Sequence, residues 1–290
     1  VEVTRCDRAA EFLAATLPYR EREPVRTNVL ASVATLAARG AMAAPGAFWW
    51  VVREGREVVG AAMRTPPFVL SLGPMPAPSA RALAPVVAEA DEGLPGVAGF
   101  PDGVAAFLGA LGDVRGNLEV ADTQHQLLYE VGHLVHHDVE GESVTASDED
   151  LALVETWFDA FALEVEGAAR GGAEQHRVLA ETIRDGRVAL WRAGGRTVSM
   201  AGRAVGIETP GGVVTRVGPV YTPPAHRGRG YGSAVTAATT ARLLARGSRV
   251  MLYADAANPT SNKIYRAMGY ELVDELVRHA FGQSRRATSG

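Results

Sequence analysis

Residues 217–233 read Val217-Gly-Pro-Val-Tyr-Thr-Pro-Pro-Ala-His-Arg-Gly-Arg-Gly-Tyr-Gly-Ser233, and this stretch decides the fold. Its opening is apolar and strand-like, yet Pro219 has no N–H and removes one ladder hydrogen bond. A central strand interrupted in this way implies a bulge and a gap toward the next strand. An extended ligand arm carrying amides fills such a gap like an extra strand. Immediately downstream, Arg227-Gly-Arg-Gly-Tyr-Gly232 opens an Ala-rich helix. Glycines at 228, 230 and 232 let the backbone approach a bulky anion. The helix start presents free N–H groups and the positive end of its dipole. Strand, glycine-rich turn and helix N-terminus therefore form a phosphate cradle, with charge added by Arg227 and Arg229. The turn lacks the Gly-Lys-Ser/Thr ending of a P-loop and the G-x-G-x-x-G spacing of a dinucleotide site.

Working outward, apolar spacing predicts strands over 187–192, 197–207 and 213–220 ahead of the cradle. Behind it come a helix over 228–245, a strand over 250–254, a short helix over 258–268 and a strand over 270–281. Further upstream, Ser147 with Asp150 three places on caps a helix running to about Gly167. That helix carries Leu151, Val154, Trp157, Phe158, Phe161 and Val165 on one face, and a second helix follows over 175–183. The first half of the chain repeats this order. Helices over 8–17 and 25–38 precede a hairpin (48–52 and 57–63) and a strand over 68–72. A Pro-rich run over 74–78, helices over 80–90 and 104–111 about an apolar loop, and a strand over 127–131 complete it. Segments 48–72 and 187–220 correspond, which indicates an internal duplication. The acidic stretch over 140–150 suits a linker.

The pattern Arg227-x-x-Gly230-x-Gly232 resembles the coenzyme A signature of the GNAT superfamily of N-acetyltransferases. A second stretch, Asn258-Pro-Thr-Ser-Asn-Lys-Ile-Tyr265 followed by Gly269-Tyr270, is similar to that family's Asn-x-x-Ala-x-x-Leu-Tyr-x-x-x-Gly-Phe, with Ser261, Ile264 and Tyr270 as mild replacements. The resemblance covers roughly 148–281 and implies an α/β fold of two tandem GNAT-like domains, each a mixed, mostly antiparallel twisted sheet flanked by helices. Residues 1–140 then form a degenerate copy, 141–147 a linker, 148–283 the acetyl-CoA-binding domain and 284–290 a loose tail. In the first copy, Gly73-Pro-Met-Pro-Ala-Pro-Ser79 stands where the glycine signature belongs, and its prolines lack the N–H donors a phosphate needs, so no cofactor is expected there.

The resemblance also implies roles. Val220 and Thr222 offer backbone groups to the pantetheine arm. Arg227, Gly228, Arg229, Gly230, Tyr231, Gly232 and Ser233 bind the pyrophosphate. Asn258 bonds the arm with Ser261 nearby, and Tyr265 faces the sulfur. The implied reaction is direct attack of an amine on acetyl-CoA, with the amide of Val220 or Tyr221 on the oxyanion and the Tyr265 hydroxyl protonating the thiolate. The strand before the cradle carries Thr215 and Arg216 where the family often keeps a Glu, so the base is open among Glu208, Glu155, Glu164, Glu166 and a water chain. That missing acid motivates the alternative of a non-catalytic acyl-CoA sensor.

Composition bounds the rest. With 290 residues, two domains are expected. The net charge of −4 gives no attraction to nucleic acid or an anionic membrane. A single cysteine, Cys6, fits a reducing, cytoplasmic setting, and no apolar run is long enough to span a bilayer. His133 and His137 have the spacing of helical metal ligands, but Gly132 and nearby valines favour strand or loop, so no metal is expected. The acceptor is a small-molecule or peptide amine, the first half walls its cleft, and the state is monomer or homodimer.

Overall fold

The computed structural model describes residues 1–116, 118–136, 138–166 and 171–282. The first half runs β1 (Glu2–Cys6), α1 (Ala9–Ala15), α2 (Leu17–Arg22), α3 (Asn28–Ala38), β2 (Phe48–Glu54), β3 (Glu57–Arg64), β4 (Leu70–Leu72), α4 (Ala77–Ala90), β5 (Gly96–Gly99), α5 (Pro101–Arg115) and β6 (Val120–Val131). The second half runs β7 (Glu142–Thr145), α6 (Leu151–Glu166), α7 (Ala173–Arg184), β8 (Val188–Ala193), β9 (Arg196–Arg203), β10 (Ile207–Thr209), β11 (Gly212–Tyr221), α8 (Tyr231–Leu244), β12 (Arg249–Asp255), α9 (Pro259–Ala267) and β13 (Tyr270–Phe281). Apart from the extra β10 and one helix fewer at its start, the second half repeats the first.

These strands form one mostly antiparallel sheet in the order β1-β2-β3-β4-β5-β13-β6-β12-β11-β9-β8-β7, with β10 on the first residues of β11. One parallel pair falls in each half, β4 with β5 and β11 with β12. The last strands of the halves are exchanged. β13 lies between β5 and β6, and β6 lies between β13 and β12. Each half of the sheet is thus completed by the other's final strand. Arg249 fastens the exchange, donating to both carboxylate oxygens of Glu130 at 2.7 and 3.0 Å.

Helices cover both faces, and each burial stripe meets a patch of the sheet. Leu83, Val87, Phe107 and Leu111 of α4 and α5 pack on Trp50, Leu70 and Val97. Phe12 and Leu30 pack with Trp49 and Val51 on the opposite face. In the second half, α8 and α9 lie over Val217, Val250 and Leu252, while Val154 and Trp157 of α6 meet Leu190 and Met200 behind. Burying each such Leu or Val contributes about 1.5–3 kcal/mol. A further cluster of Val25, Phe100, Leu128, Val214 and Met251 joins the halves.

Several expectations are corrected. The 141–147 linker contains strand β7, which pairs with β8 from Glu142↔Arg192 to Thr145↔Ala189. Its one acid, Glu142, is exposed, as suits an edge strand. The apolar loop over 93–103 contains β5, whose four residues begin and end in glycine. β6 starts at Val120 rather than 127, because β13 pairs with its polar first half. The Ser147–Asp150 capping box is present, ahead of a 3-10 turn that leads into α6. The expected helix end at Gly167 and the tail over 284–290 lie outside the described residues.

Candidate active site

The gap expected at Pro219 is there. β11 pairs with β12 only from Val214↔Arg249 to Arg216↔Met251, although β11 continues to Tyr221 and β12 to Asp255. On its other side β11 shifts register against β9 between Val217 and Val220, around the residue without a donor. The strands therefore part after Arg216, and the cradle closes the far end of the opening.

The cradle follows a 3-10 turn, Pro224–His226. Gly228 and Gly230 have φ of +77° and +80°, the left-handed region that favours glycine. Gly230 is the N-cap of α8 and supplies no side-chain cap, and the helix's first backbone bond runs from the Ala234 N–H to the Gly230 carbonyl at 2.9 Å. The N–H groups of Tyr231, Gly232 and Ser233 thus have no acceptor within the helix. Residues 227–230 are exposed, and residues 231–233, which carry these donors, are half-buried behind them. A Cβ on Gly232 would lie 3.1 Å from Thr222 Oγ1, and one on Gly230 3.1 Å from Val139 Cγ2.

Thr222 is fixed from behind: its hydroxyl shares a 2.8 Å hydrogen bond with Ser199, which also reaches the Tyr221 carbonyl at 3.0 Å. Arg227 donates from Nε to the Thr222 carbonyl at 2.9 Å and from Nη2 to both oxygens of Glu164 at 2.8 Å. Its guanidinium lies 5.8 Å from the centre of the Tyr221 ring, which packs 6.1 Å from Trp157. Burial, and secondarily Glu164, pushes the Tyr221 pKa up. Arg229 is exposed.

Across the gap, Asn258 caps α9 by accepting the Ser261 N–H at 3.0 Å. One lone pair of its oxygen serves the helix, and its amide nitrogen and the second lone pair are left for a ligand. Tyr265 stands between two rings, Tyr129 at 6.5 Å and Tyr270 at 6.0 Å. Burial pushes the Tyr265 pKa up to about 12. Sequence reasoning missed two supports. Buried Asn262 donates to the carbonyls of Asp255 and Asn258, both at 2.9 Å, and accepts from the Tyr129 hydroxyl at 3.2 Å. Tyr129 belongs to β6, so the first half supplies part of this wall. Asn262 was visible in the second signature, but the strand exchange that brings Tyr129 here has no local signal.

Among the described candidate acids, only Glu164 is held by a residue of the cradle, and it is already paired. Glu208 pairs opposite Val213, at the other end of β11. Glu155 contacts His176 at 2.6 Å and Glu164 is held by Arg227. The Glu166 side chain and His137 lie outside the described residues. His133 and His136 lie outside any helix. Among the described residues, no three His, Cys, Asp or Glu gather to hold a metal, and no helix is long and apolar enough to cross a membrane.

Residues 196–279 match the family model of FR47-like proteins. A tandem GNAT protein from the clavulanic acid biosynthesis pathway, 17% identical, aligns with a TM-score of 0.61 over 98% of this chain and 100% of its own. The chain has the tandem GNAT fold. The same architecture is shared with a GCN5-related N-acetyltransferase from Sphaerobacter thermophilus (15% identity, TM-score 0.61, 96% and 94% covered). A GNAT-family acetyltransferase from Colwellia psychrerythraea is similar at 14% identity and a TM-score of 0.59, with 97% and 100% covered. No curated protein sequence matches the chain. Within this tandem GNAT fold the gap lies in the second repeat, the part that the FR47-like model matches.

Proposed function

We propose that the protein is an acyltransferase that moves an acetyl group from acetyl-CoA to a primary amine. The observation that carries this reading is the opening after Arg216 directed at an uncapped, glycine-lined helix start. The residues fit the co-substrate: Gly230 and Gly232 leave room where side chains would crowd Val139 and Thr222, Gly228 supplies a left-handed turn, and the donors of residues 231–233 suit a pyrophosphate. Arg227 to Ser233 hold the diphosphate, Val220 and Thr222 offer backbone groups to the arm, and Asn258 and Ser261 border it. Bound there, acetyl-CoA supplies an activated acyl carbon. The amide of Val220 or Tyr221 stabilises negative charge on an acyl oxygen. Tyr265 keeps its proton until the pH nears 12 and so stands as a donor at neutral pH.

Calorimetry with CoA tests the cradle, and thiol release from acetyl-CoA across an amine panel tests the transfer. One CoA per chain and amine-dependent thiol release are expected. Absence of CoA binding removes the reading, and binding without thiol release on any amine assigns an acyl-CoA sensor instead.

A further inference from the structure

The proposed mechanism uses the face of the sheet under α8 and α9. The opposite face carries a second polar cluster. Side chains alternate along a strand, so Arg216 shares its face with Val214, and Tyr253 shares its face with Met251. Both face the cluster that joins the halves. Arg216 is in the last pair before the strands part, and Tyr253 lies two residues beyond Met251 on the diverging strand. The two therefore flank the apex of the gap.

The charge balance here is incomplete. Arg216 is partly buried, and among the described residues its guanidinium donates one hydrogen bond, a long one of 3.5 Å from Nη1 to Asn28 Oδ1. Among the described residues no carboxylate pairs with it. Asp274, the acid whose charge acts on Tyr253, is taken by Arg26, which donates to it from both Nε and Nη2. The Tyr253 hydroxyl is buried and has no hydrogen-bond partner. Asn28 fixes the arrangement from the first half, donating to the Val214 carbonyl at 3.3 Å. A half-buried cation without a carboxylate and a buried hydroxyl without a partner are each costly, and a single anionic ligand group is the kind of partner that suits both.

We propose that Arg216 and Tyr253 bind a carboxylate on the acceptor, so that the substrate class is a small amino acid rather than a simple amine. This rests on the acyl-transfer reading for the amine but not for the anion. A guanidinium at the apex places an acid within a few bonds of a nitrogen entering the gap. It also gives the first half a role in selectivity, through Asn28.

The probes are the twenty L-amino acids, β-alanine and 4-aminobutanoate, each against its carboxamide. Thiol release with acetyl-CoA should favour at least one acid over its amide by about tenfold to a hundredfold in kcat/KM, the worth of one or two charge-assisted hydrogen bonds. Arg216→Gln should bring that ratio close to one, Arg216→Lys should restore part of it, and Tyr253→Phe should lower it severalfold. CoA affinity measured by calorimetry should stay within about twofold in all three, which separates this site from the cradle and reports folding. Thermal shift with the same acids and amides, without CoA, tests the anion site even if transfer fails. A stabilising acid whose effect is lost in Arg216→Gln supports it. Equal use of acids and amides, or no acid that stabilises the protein or is acetylated, overturns it.

Discussion

The two halves of this chain present the same junction, a strand, a turn and a helix start, in opposite chemical states. In the second half, Gly230 leads α8 with its amides free. In the first, Pro76 is the N-cap of α4 and Pro78 occupies its second position, while Pro74 lies in the turn before them. Each proline deletes a donor. The space is closed as well: the Tyr19 hydroxyl donates to the Pro74 carbonyl at 2.8 Å, and a Cβ on Gly73 would lie 2.2 Å from that hydroxyl. The counterpart of α9 is α5, which contains no tyrosine. One repeat keeps an open helix start with free amides, and the other fills the same place with core. The difference teaches that the fold supplies the junction, and a handful of residues decides whether it binds.

The strongest way to break this comparison is to separate the halves. A chain cut to residues 141–290 loses β5 and β6, which strips the β6 partner from β12 along Met251–Asp255 and leaves β13 without either neighbour. Exposed edges and a lost interior strand remove cooperative folding. The expected outcome is no sigmoidal thermal transition by circular dichroism and recovery mainly in aggregates. A sharp melt with CoA binding intact would show that the exchange is dispensable.

Tyr265→Phe removes the hydroxyl that the first half lacks. The expected loss in kcat is about a hundredfold or more, typical of removing a general acid, with the KM for acetyl-CoA nearly unchanged. The pH dependence sharpens it. The raised pKa of Tyr265 keeps the donor protonated, so its ionisation gives no falling limb in kcat below about pH 11. Stability carries the same sign. Tyr265 and Tyr253 are both raised to about 12 by burial, so the folded state holds protons that the unfolded chain releases near pH 10. Their contribution is complete below pH 10 and falls as pH rises toward 12, which urea unfolding at stepped pH would reveal.

Gly232→Val is expected to turn the second cradle toward the first. Its Cβ meets Thr222 Oγ1, which is held by Ser199, so neither neighbour yields cheaply. Losing two charge-assisted backbone bonds of about 1.5 kcal/mol each weakens CoA roughly a hundredfold by calorimetry. The melting temperature without CoA should change little, because the site is at the surface. Gly73→Ala, in the turn of the closed repeat, should instead lower the melting temperature and leave CoA affinity unchanged.

The legibility of the molecule follows the range of its signals. The cradle, the gap at Pro219 and the second signature are local, set by donors deleted or freed within a few residues, and they were readable in order. The Ser147 capping box was readable for the same reason. β5 and β7 were not, because four residues with glycine or acidic neighbours carry too little periodicity to register as strands. The exchange of β6 and β13 was beyond reach, since pairing between residues more than a hundred positions apart leaves no pattern in either segment. With it went Tyr129 and the apposition of Asn28 to Arg216, so from sequence the first half reads as a separate wall instead of a neighbour of the gap.

The gentlest test concerns the one charge in the cradle that is already paired. Glu164 holds Arg227 with two 2.8 Å contacts, and both side chains are close to half exposed, at 46% and 47%. An ion pair this exposed contributes about 0–1 kcal/mol, and salt screens it. Phosphate binding competes with Glu164 for the same guanidinium, so Glu164→Gln removes the competitor and leaves Arg227 anchored to the Thr222 carbonyl. CoA affinity is expected to rise about twofold to fivefold at low salt, with the gain shrinking as salt is added. A fall in affinity would mean that Glu164 positions Arg227 for the phosphate rather than withholding it, and the pair would then count as a built part of the cradle that the first repeat never had.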